Sequence, residues 1–308
     1  MTPSLLQDSI LELKNRKNAL ILAHYYVDGA VQDIADFVGD SLELSRKAAE
    51  ADADIIVFCG VHFMAETAAI LCPGKKVLSP AYGAGCSLAD SIDGDDLIKW
   101  KLKHPDGIII SYVNTTARTK AATDICCTSA NAVKVARSVI DGQRPVLFCP
   151  DLHLGSYVNR VLGADMEIWN GNCFVHRKIT SGLVRKAMSE YPDAEILIHP
   201  ESDCSMDEEI VNHPKCFFYS TSGIIKHTKE SSVKQFIIAT ENGVLHRIKK
   251  ECPDKEIIPI SDSAICTHMK KVTLENLYAT LLNETNLITV PEDIASRALV
   301  PIRRMLEL

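Results

Sequence analysis

Short apolar runs recur through this chain in three sets of four, with stretches of helical character between them. The first set is ALILAHYY at 19–26, DFVGD at 36–40, DIIVFCG at 54–60 and KKVLSP at 75–80. The second is GIIISYVN at 107–114, ATDICCTS at 122–129, PVLFCP at 145–150 and DMEIWN at 165–170. The third is EILIHPE at 195–201, CFFYSTS at 216–222, FIIATE at 236–241 and EIIPI at 256–260. Apolar runs of this length between helical segments read as parallel strands, buried on both faces and joined by crossover helices. Corresponding runs lie about 85–95 residues apart, so the spacing predicts one four-stranded α/β unit built three times. Residue identities are not expected to repeat between units, and a single long sheet is the competing arrangement.

A chain of 308 residues suits two or three domains at about 100–200 residues each. The expected division is 1–85 plus 270–308 for the first unit, 86–172 for the second and 173–269 for the third. The formal charge is 33 − 40 = −7, with Lys and Arg scattered rather than gathered on a basic face. That argues against nucleic acid and for small-molecule substrates. No run of about 18 apolar residues is present, so no membrane span is expected. The first residues carry Asp8 and Glu12 in a helical pattern and lack the basic start and cleavage site of a signal peptide. The expected location is the cytoplasm. The eleven cysteines should then be thiols. Cys59, Cys149 and Cys216, in or beside strand-like runs, read as small core residues.

Parallel α/β units bind ligands at the carboxyl ends of their strands. After the first strands come His24-Tyr25-Tyr26, Tyr112-Val113-Asn114 and His199-Pro200-Glu201, groups that hydrogen-bond or move protons. After the second strands come Gly39-Asp40-Ser41, Cys127-Thr128-Ser129 and Ser220-Thr221-Ser222, each expected to open a helix with a hydroxyl near its N-cap. Three such N-termini converging would hold a multiply charged anion, whereas each alone is a plain cap. After the third strands come His62 with Glu66, Asp151 and Glu241, which also read as acids complementing helix dipoles. After the fourth strands each unit offers one cysteine: Cys86, Cys173 and Cys266. One thiolate from each unit would make a three-sulfur site. On a [4Fe–4S] cluster such a site leaves one iron without a protein ligand, free to act as a Lewis acid. Zinc on three cysteines is the chemical alternative. No phosphate-binding loop, dinucleotide fingerprint or CxxC pair is present.

The ordered motifs AHYY, GDSLELS, GCSLAD, SYVNT, CTSANA, PDLHLG, WNGNCFVH, HPES, STSG, ATENG and CTHMKKVTLENL resemble the quinolinate synthase family of NAD biosynthesis, over about residues 18–285. The resemblance implies three α/β/α sandwich domains with short parallel sheets, related by pseudo-threefold symmetry, and an active site at their interface. It implies an oxygen-sensitive [4Fe–4S] cluster on Cys86, Cys173 and Cys266. It also implies a synthase (transferase) reaction, condensation of iminoaspartate with dihydroxyacetone phosphate to quinolinate, phosphate and two waters. A functional link to an L-aspartate oxidase or aspartate dehydrogenase goes with it. By the same resemblance, Tyr26, Tyr112 and His24 act as acid/base or orienting groups, and Asn114 bonds an intermediate. Glu201, with His199, moves protons on the triose. Ser41, Ser129, Ser220 and Thr221 hold carboxylates and phosphate, and His176 contacts the substrate.

Two positions depart from the family pattern. Ser202 stands where the family often has cysteine, and Arg177 where an acid often follows the histidine. No cysteine follows Cys266, so redox control through a C-terminal cysteine pair is not expected. Two other classes stay open on the residues alone. One is another [4Fe–4S] hydro-lyase acting on a small hydroxy acid. The other is a non-enzymatic iron or redox sensor, for which no partner-binding element is visible.

Overall fold

The computed structural model describes residues 3–81 and 83–308. Met1, Thr2 and Tyr82, all within the expected first unit, lie outside the described residues. The first set of apolar runs forms β1 (Ala19–His24), β2 (Phe37–Gly39), β3 (Ile55–Cys59) and β4 (Lys76–Leu78). The second forms β5 (Ile108–Tyr112), β6 (Ile125–Cys127), β7 (Val146–Cys149) and β8 (Glu167–Ile168). The third forms β9 (Glu195–Ile198), β10 (Cys216–Phe218), β11 (Gln235–Ala239) and β12 (Glu256–Pro259). These make three separate four-stranded sheets rather than one long sheet. Each has the same order, second–first–third–fourth, and every ladder between these strands is parallel.

The layering follows from strand alternation. In β9, Ile196 and Ile198 face a cluster with Val184 and Ile237, while Leu197 faces the large core shared between units. In β5, Ile109 joins Leu97, Trp100 and Leu147 on one face, and Ile108 and Ile110 join the shared core on the other. A strand apolar at every position thus feeds two helical layers, giving an α/β/α sandwich. β3, β5 and β7 are buried throughout. Cys59, Cys149 and Cys216 are buried thiols on β3, β7 and β10.

The fourth strand of each unit leads into the same device. A cysteine loop is followed by a 3-10 turn, at Ala89–Ser91, His176–Lys178 or Met269–Lys271. A helix follows, Gly94–Lys103, Ser181–Glu190 or Leu274–Asn283, capped by Asp93, Thr180 or Thr273. Just before each cap is a buried aliphatic residue, Ile92, Ile179 or Val272. The expectation that identities do not repeat fails here. Cysteine, five residues, Ile/Val, then Asp/Thr occurs once per unit. The aliphatic residue anchors the turn and the cap satisfies free helix N–H groups, so both are needed each time.

The last two helices reach back. Leu274–Asn283 packs on the helix Pro3–Arg16 of the first unit. Glu292–Glu307 lies on β6 and on the helix Ala117–Lys120 of the second unit, and also touches the helix His62–Leu71 of the first. Arg304 donates to the Asp124 carbonyl at 2.7 Å, and Asn131 Nδ2 to the Met305 carbonyl at 3.2 Å. Among the described residues no helix is long and apolar enough to cross a membrane.

Where the third unit meets the first, Gly243 lies against the backbone of Tyr26. A Cβ built on Gly243 would come within 2.7 Å of Tyr26 Cα. The buried Gln32 amide braces this contact, donating to the carbonyls of Tyr25, Val27 and Gly243 at 2.9, 3.0 and 3.0 Å. Backbone cannot rotate aside as a side chain can. Gly243→Ala is therefore expected to cost about 1–3 kcal/mol through overpacking, read as a lower denaturation midpoint. An unchanged midpoint would show that the interface does not need this close approach.

Candidate active site

The carboxyl ends of the three sheets meet around one pocket with about 700 Å³ of open space. His24, Tyr26, Ser41, Cys86, Tyr112, Asn114, Ser129, Cys173, His176, His199, Glu201, Thr221 and Cys266 all line it. Of the site residues that the family resemblance implies, Ser220 is the one that does not. It is the N-cap of the helix Thr221–Glu230, where its Oγ accepts the Gly223 N–H at 3.3 Å. Around the pocket, equivalent backbone positions carry different side chains. The first-strand ends supply His24, Tyr112 and His199, and two residues later come Tyr26, Asn114 and Glu201.

The helix N-termini differ from the simple expectation. In the first unit Asp40 is the cap, accepting from Leu42 and Glu43 N–H at 3.0 and 3.1 Å, and Ser41 is the first helical residue. In the second, the helix starts at Ala132, and Ser129 sits in the turn before it.

His24 and His199 share one arrangement. Each Nδ1 accepts a backbone N–H two residues on, from Tyr26 at 3.2 Å and from Glu201 at 3.4 Å. The ring proton is therefore assigned to Nε2. From there His199 donates to Ser129 Oγ at 3.2 Å. Burial pulls both imidazoles down to about 3, so both are neutral at physiological pH.

A hydrogen-bond chain crosses all three units. Thr221 Oγ1 lies 2.9 Å from the Tyr26 hydroxyl, which lies 2.8 Å from Thr240 Oγ1. Thr240 Oγ1 is 2.9 Å from His176 Nε2, and His176 Nδ1 is 3.0 Å from Glu201 Oε2. On the other side the Tyr112 hydroxyl donates to Glu201 Oε1. With a ring proton on His176 Nδ1, donation can run toward the carboxylate along the whole chain. Burial pushes Tyr26 and Tyr112 well above the ordinary phenol range, so both keep their protons.

Two buried carboxyls here are driven in opposite directions. Burial opposes charge on Glu201, but the hydrogen bonds it accepts from His176 and Tyr112 favour the ionised form and hold its carboxyl low. Asp151 is driven well above the carboxylate range by burial and then by the charge of Glu201. Glu201 is the ionised member and Asp151 the protonated one.

The cysteines separate into two groups. Cys86, Cys173 and Cys266 are half-buried, and the other eight are buried. The three loops are superimposable in their bonding. Each cysteine carbonyl accepts the N–H four residues on, from Asp90, Arg177 and Lys270 at 2.9, 3.0 and 3.1 Å. Each sulfur also faces the N–H groups two and three residues on: Leu88 and Ala89, Val175 and His176, His268 and Met269. Burial raises all three thiols, Cys86 to about 12, while these N–H groups oppose the rise and favour thiolate.

The third-strand acids do more than complement helix dipoles. Glu241, fully buried, accepts the Cys266 N–H at 3.0 Å and the Gly243 N–H at 2.6 Å, with Lys270 3.3 Å away. Asp151 accepts from the Cys173 backbone. Both brace a cysteine loop. Among the described residues the first unit shows no counterpart. His62 is 56% exposed there, and Glu66 turns to the Ala117 N–H at 3.0 Å. Thr240, the hinge of the hydrogen-bond chain, was not singled out from the sequence. It sits at a strand end, where the ligand rule pointed, beside the more conspicuous Glu241.

The chain matches the family model described as "Quinolinate synthetase A protein" over residues 8–307. It is 48% identical over 307 residues to the quinolinate synthase of Pyrobaculum aerophilum, covering 98% of this chain and 99% of that protein. It is 48% identical over 302 residues to the quinolinate synthase of Thermus thermophilus, covering 98% and 96%. Against the quinolinate synthase of Methanoregula boonei the figures are 47% over 306 residues, with 99% of each covered. Together with three parallel sheets whose ends converge on one pocket, matches of this length show that the chain belongs to the quinolinate synthase family.

Proposed function

We propose that this enzyme condenses iminoaspartate with dihydroxyacetone phosphate, releasing quinolinate, phosphate and two waters, and that Cys86, Cys173 and Cys266 hold a [4Fe–4S] cluster for the reaction. The observation that carries the reading is the convergence of the three half-buried cysteines, in loops of identical bonding, on the pocket that holds Glu201. The donor set fits a cluster better than zinc. Among the described residues, only Cys173, His176 and Glu201 bring three potential ligand atoms within 4.8 Å of one another. The three sulfurs stand further apart than a tetrahedral zinc, with Zn–S of about 2.3 Å, would draw them. Backbone N–H groups at each sulfur suit thiolates bound to a polynuclear centre. Such a cluster, when bound, supplies one iron free of protein ligands as a Lewis acid.

The roles proposed for the chain's own residues follow from their bonding. Glu201 is the charged acceptor and, with His199 beside it, takes and returns protons on the triose carbons. Tyr112 and His176 hold its two oxygens in place. Neutral His24 and His199 present Nε2–H donors rather than acids. Tyr26 orients substrate from the Thr221–Thr240 side, and Asn114 bonds an intermediate. Ser41, Ser129 and Thr221 offer hydroxyls to carboxylate and phosphate oxygens, while Ser220 keeps its helix end in place. In domain terms, the first unit is 1–85 with 270–308, the second 86–172 and the third 173–269. Because an imine hydrolyses in water, a neighbouring L-aspartate oxidase or aspartate dehydrogenase is the fitting source of iminoaspartate.

Protein purified without oxygen is expected to be brown and to contain iron, and Cys86→Ala to lose both the visible absorbance and quinolinate formation. Colourless, iron-free protein with full activity would overturn the cluster. Glu201→Gln is expected to keep its iron and to lose at least about 100-fold in quinolinate formation, measured by product analysis with both precursors. Normal turnover would remove Glu201 from the mechanism.

A further inference from the structure

Lys120 is the largest fully buried side chain that carries a charge, and nothing in the proposed reaction uses it. It lies in the short helix Ala117–Lys120 of the second unit. Its ammonium donates to the Val113 carbonyl at 2.8 Å and also to the Thr115 carbonyl. Those two carbonyls flank Asn114, whose Oδ1 is buried, without a hydrogen-bond partner, and part of a side chain lining the pocket. Lys120 also stands 5.3 Å over the ring of Phe63, another pocket residue, from the first unit. Glu66 of the first unit anchors the N-terminus of the same short helix through the Ala117 N–H.

We infer that Lys120 is a positioning residue for Asn114: by gripping the carbonyls on either side, it fixes the loop so that the Asn114 amide is presented to substrate. The physical case is direct. Residues 113–115 leave the end of β5; Val113 still donates to the Cys127 carbonyl of β6 at 2.9 Å, and Asn114 and Thr115 lie beyond that last bond to the sheet. Two buried carbonyls bonded to one ammonium give the loop a single conformation, and an unpaired buried carbonyl is costly. Burial pulls the Lys120 ammonium down to about 8, so it is still protonated near pH 7. A displacement of about 1 Å at a substrate-bonding group can cost about 100-fold in rate.

This inference rests on Asn114 acting in the proposed reaction. The experiment is a double-mutant cycle with Lys120→Met and Asn114→Ala, measured anaerobically as kcat and KM for quinolinate formation, with iron content recorded for each protein. The parent must form quinolinate; if it does not, the proposed function fails before the cycle is read. Lys120→Met is expected to keep its iron and lose about 100-fold in kcat. Added to Asn114→Ala it should lose little more than Asn114→Ala alone. Losses that multiply, or full turnover in Lys120→Met, would overturn the inference. Lys120→Gln keeps N–H donors without the charge and guards against a Met variant that does not fold. It is expected to recover about 10-fold of the lost kcat when Asn114 is present and none when it is absent. Equal recovery in both backgrounds would mean that Lys120 supports the fold alone.

Discussion

The hydrogen-bond chain that ends on Glu201 is the interaction around which the molecule is arranged. Tyr26 comes from the first unit, Tyr112 from the second, and His176, Glu201, Thr221 and Thr240 from the third. No single unit can assemble it. Every member is close to fully buried, so each polar atom must find a partner or bear the cost of desolvation, and Tyr26 and Tyr112 find theirs across a unit boundary. The same bonds that tune the carboxylate therefore hold the three sheets in register. Catalytic geometry and quaternary-like packing within one chain are here a single constraint.

Repetition supplies position, and divergence supplies chemistry. The backbone is reused three times, down to the carbonyl bond that closes each cysteine loop and the residue that caps the following helix. In the three loops after the fourth strands the residue is left unchanged, as Cys86, Cys173 and Cys266. At the ends of the first strands the repeat varies the residue at a fixed point. His24, Tyr112 and His199 form one such set, and Tyr26, Asn114 and Glu201 another. Two of the three cysteine loops are braced by a buried acid, Asp151 or Glu241, and the first is not. The three corners of the sulfur site are thus equal in loop bonding and unequal in what stands behind them.

Much of this was legible in the sequence because strands are short, apolar and periodic, and because parallel sheets put function at their carboxyl ends. The twelve apolar runs became the twelve strands, and the pocket gathered nearly all the site residues that the family resemblance implied. What stayed hidden depends on contacts across units. Lys120 sits in the polar stretch ARTK, and nothing local says that it is fully buried. Thr240 looks like an ordinary strand-end residue until Tyr26 and His176 are brought to it. In the first unit the expected hydroxyl, on Ser41, lies next to the cap, and Asp40 is the cap itself because its carboxylate reaches two N–H groups and pairs with Glu43 in a capping box. The threefold Cys–Ile/Val–Asp/Thr spacing was present in the letters but is sparse. It becomes visible only once three turns are seen to need the same anchor and the same cap.

The placement of the helix Glu292–Glu307 has a consequence for how the protein is made. It covers β6, an outer strand of the second sheet, and bridges to the first unit, yet it follows all twelve strands in the chain. While the chain is being translated, the second unit waits with that flank bare although its own strands were synthesised long before. Folding of the second unit can begin during synthesis but can be completed only once this helix has emerged, which leaves the outer edge of β6 uncovered in the interval.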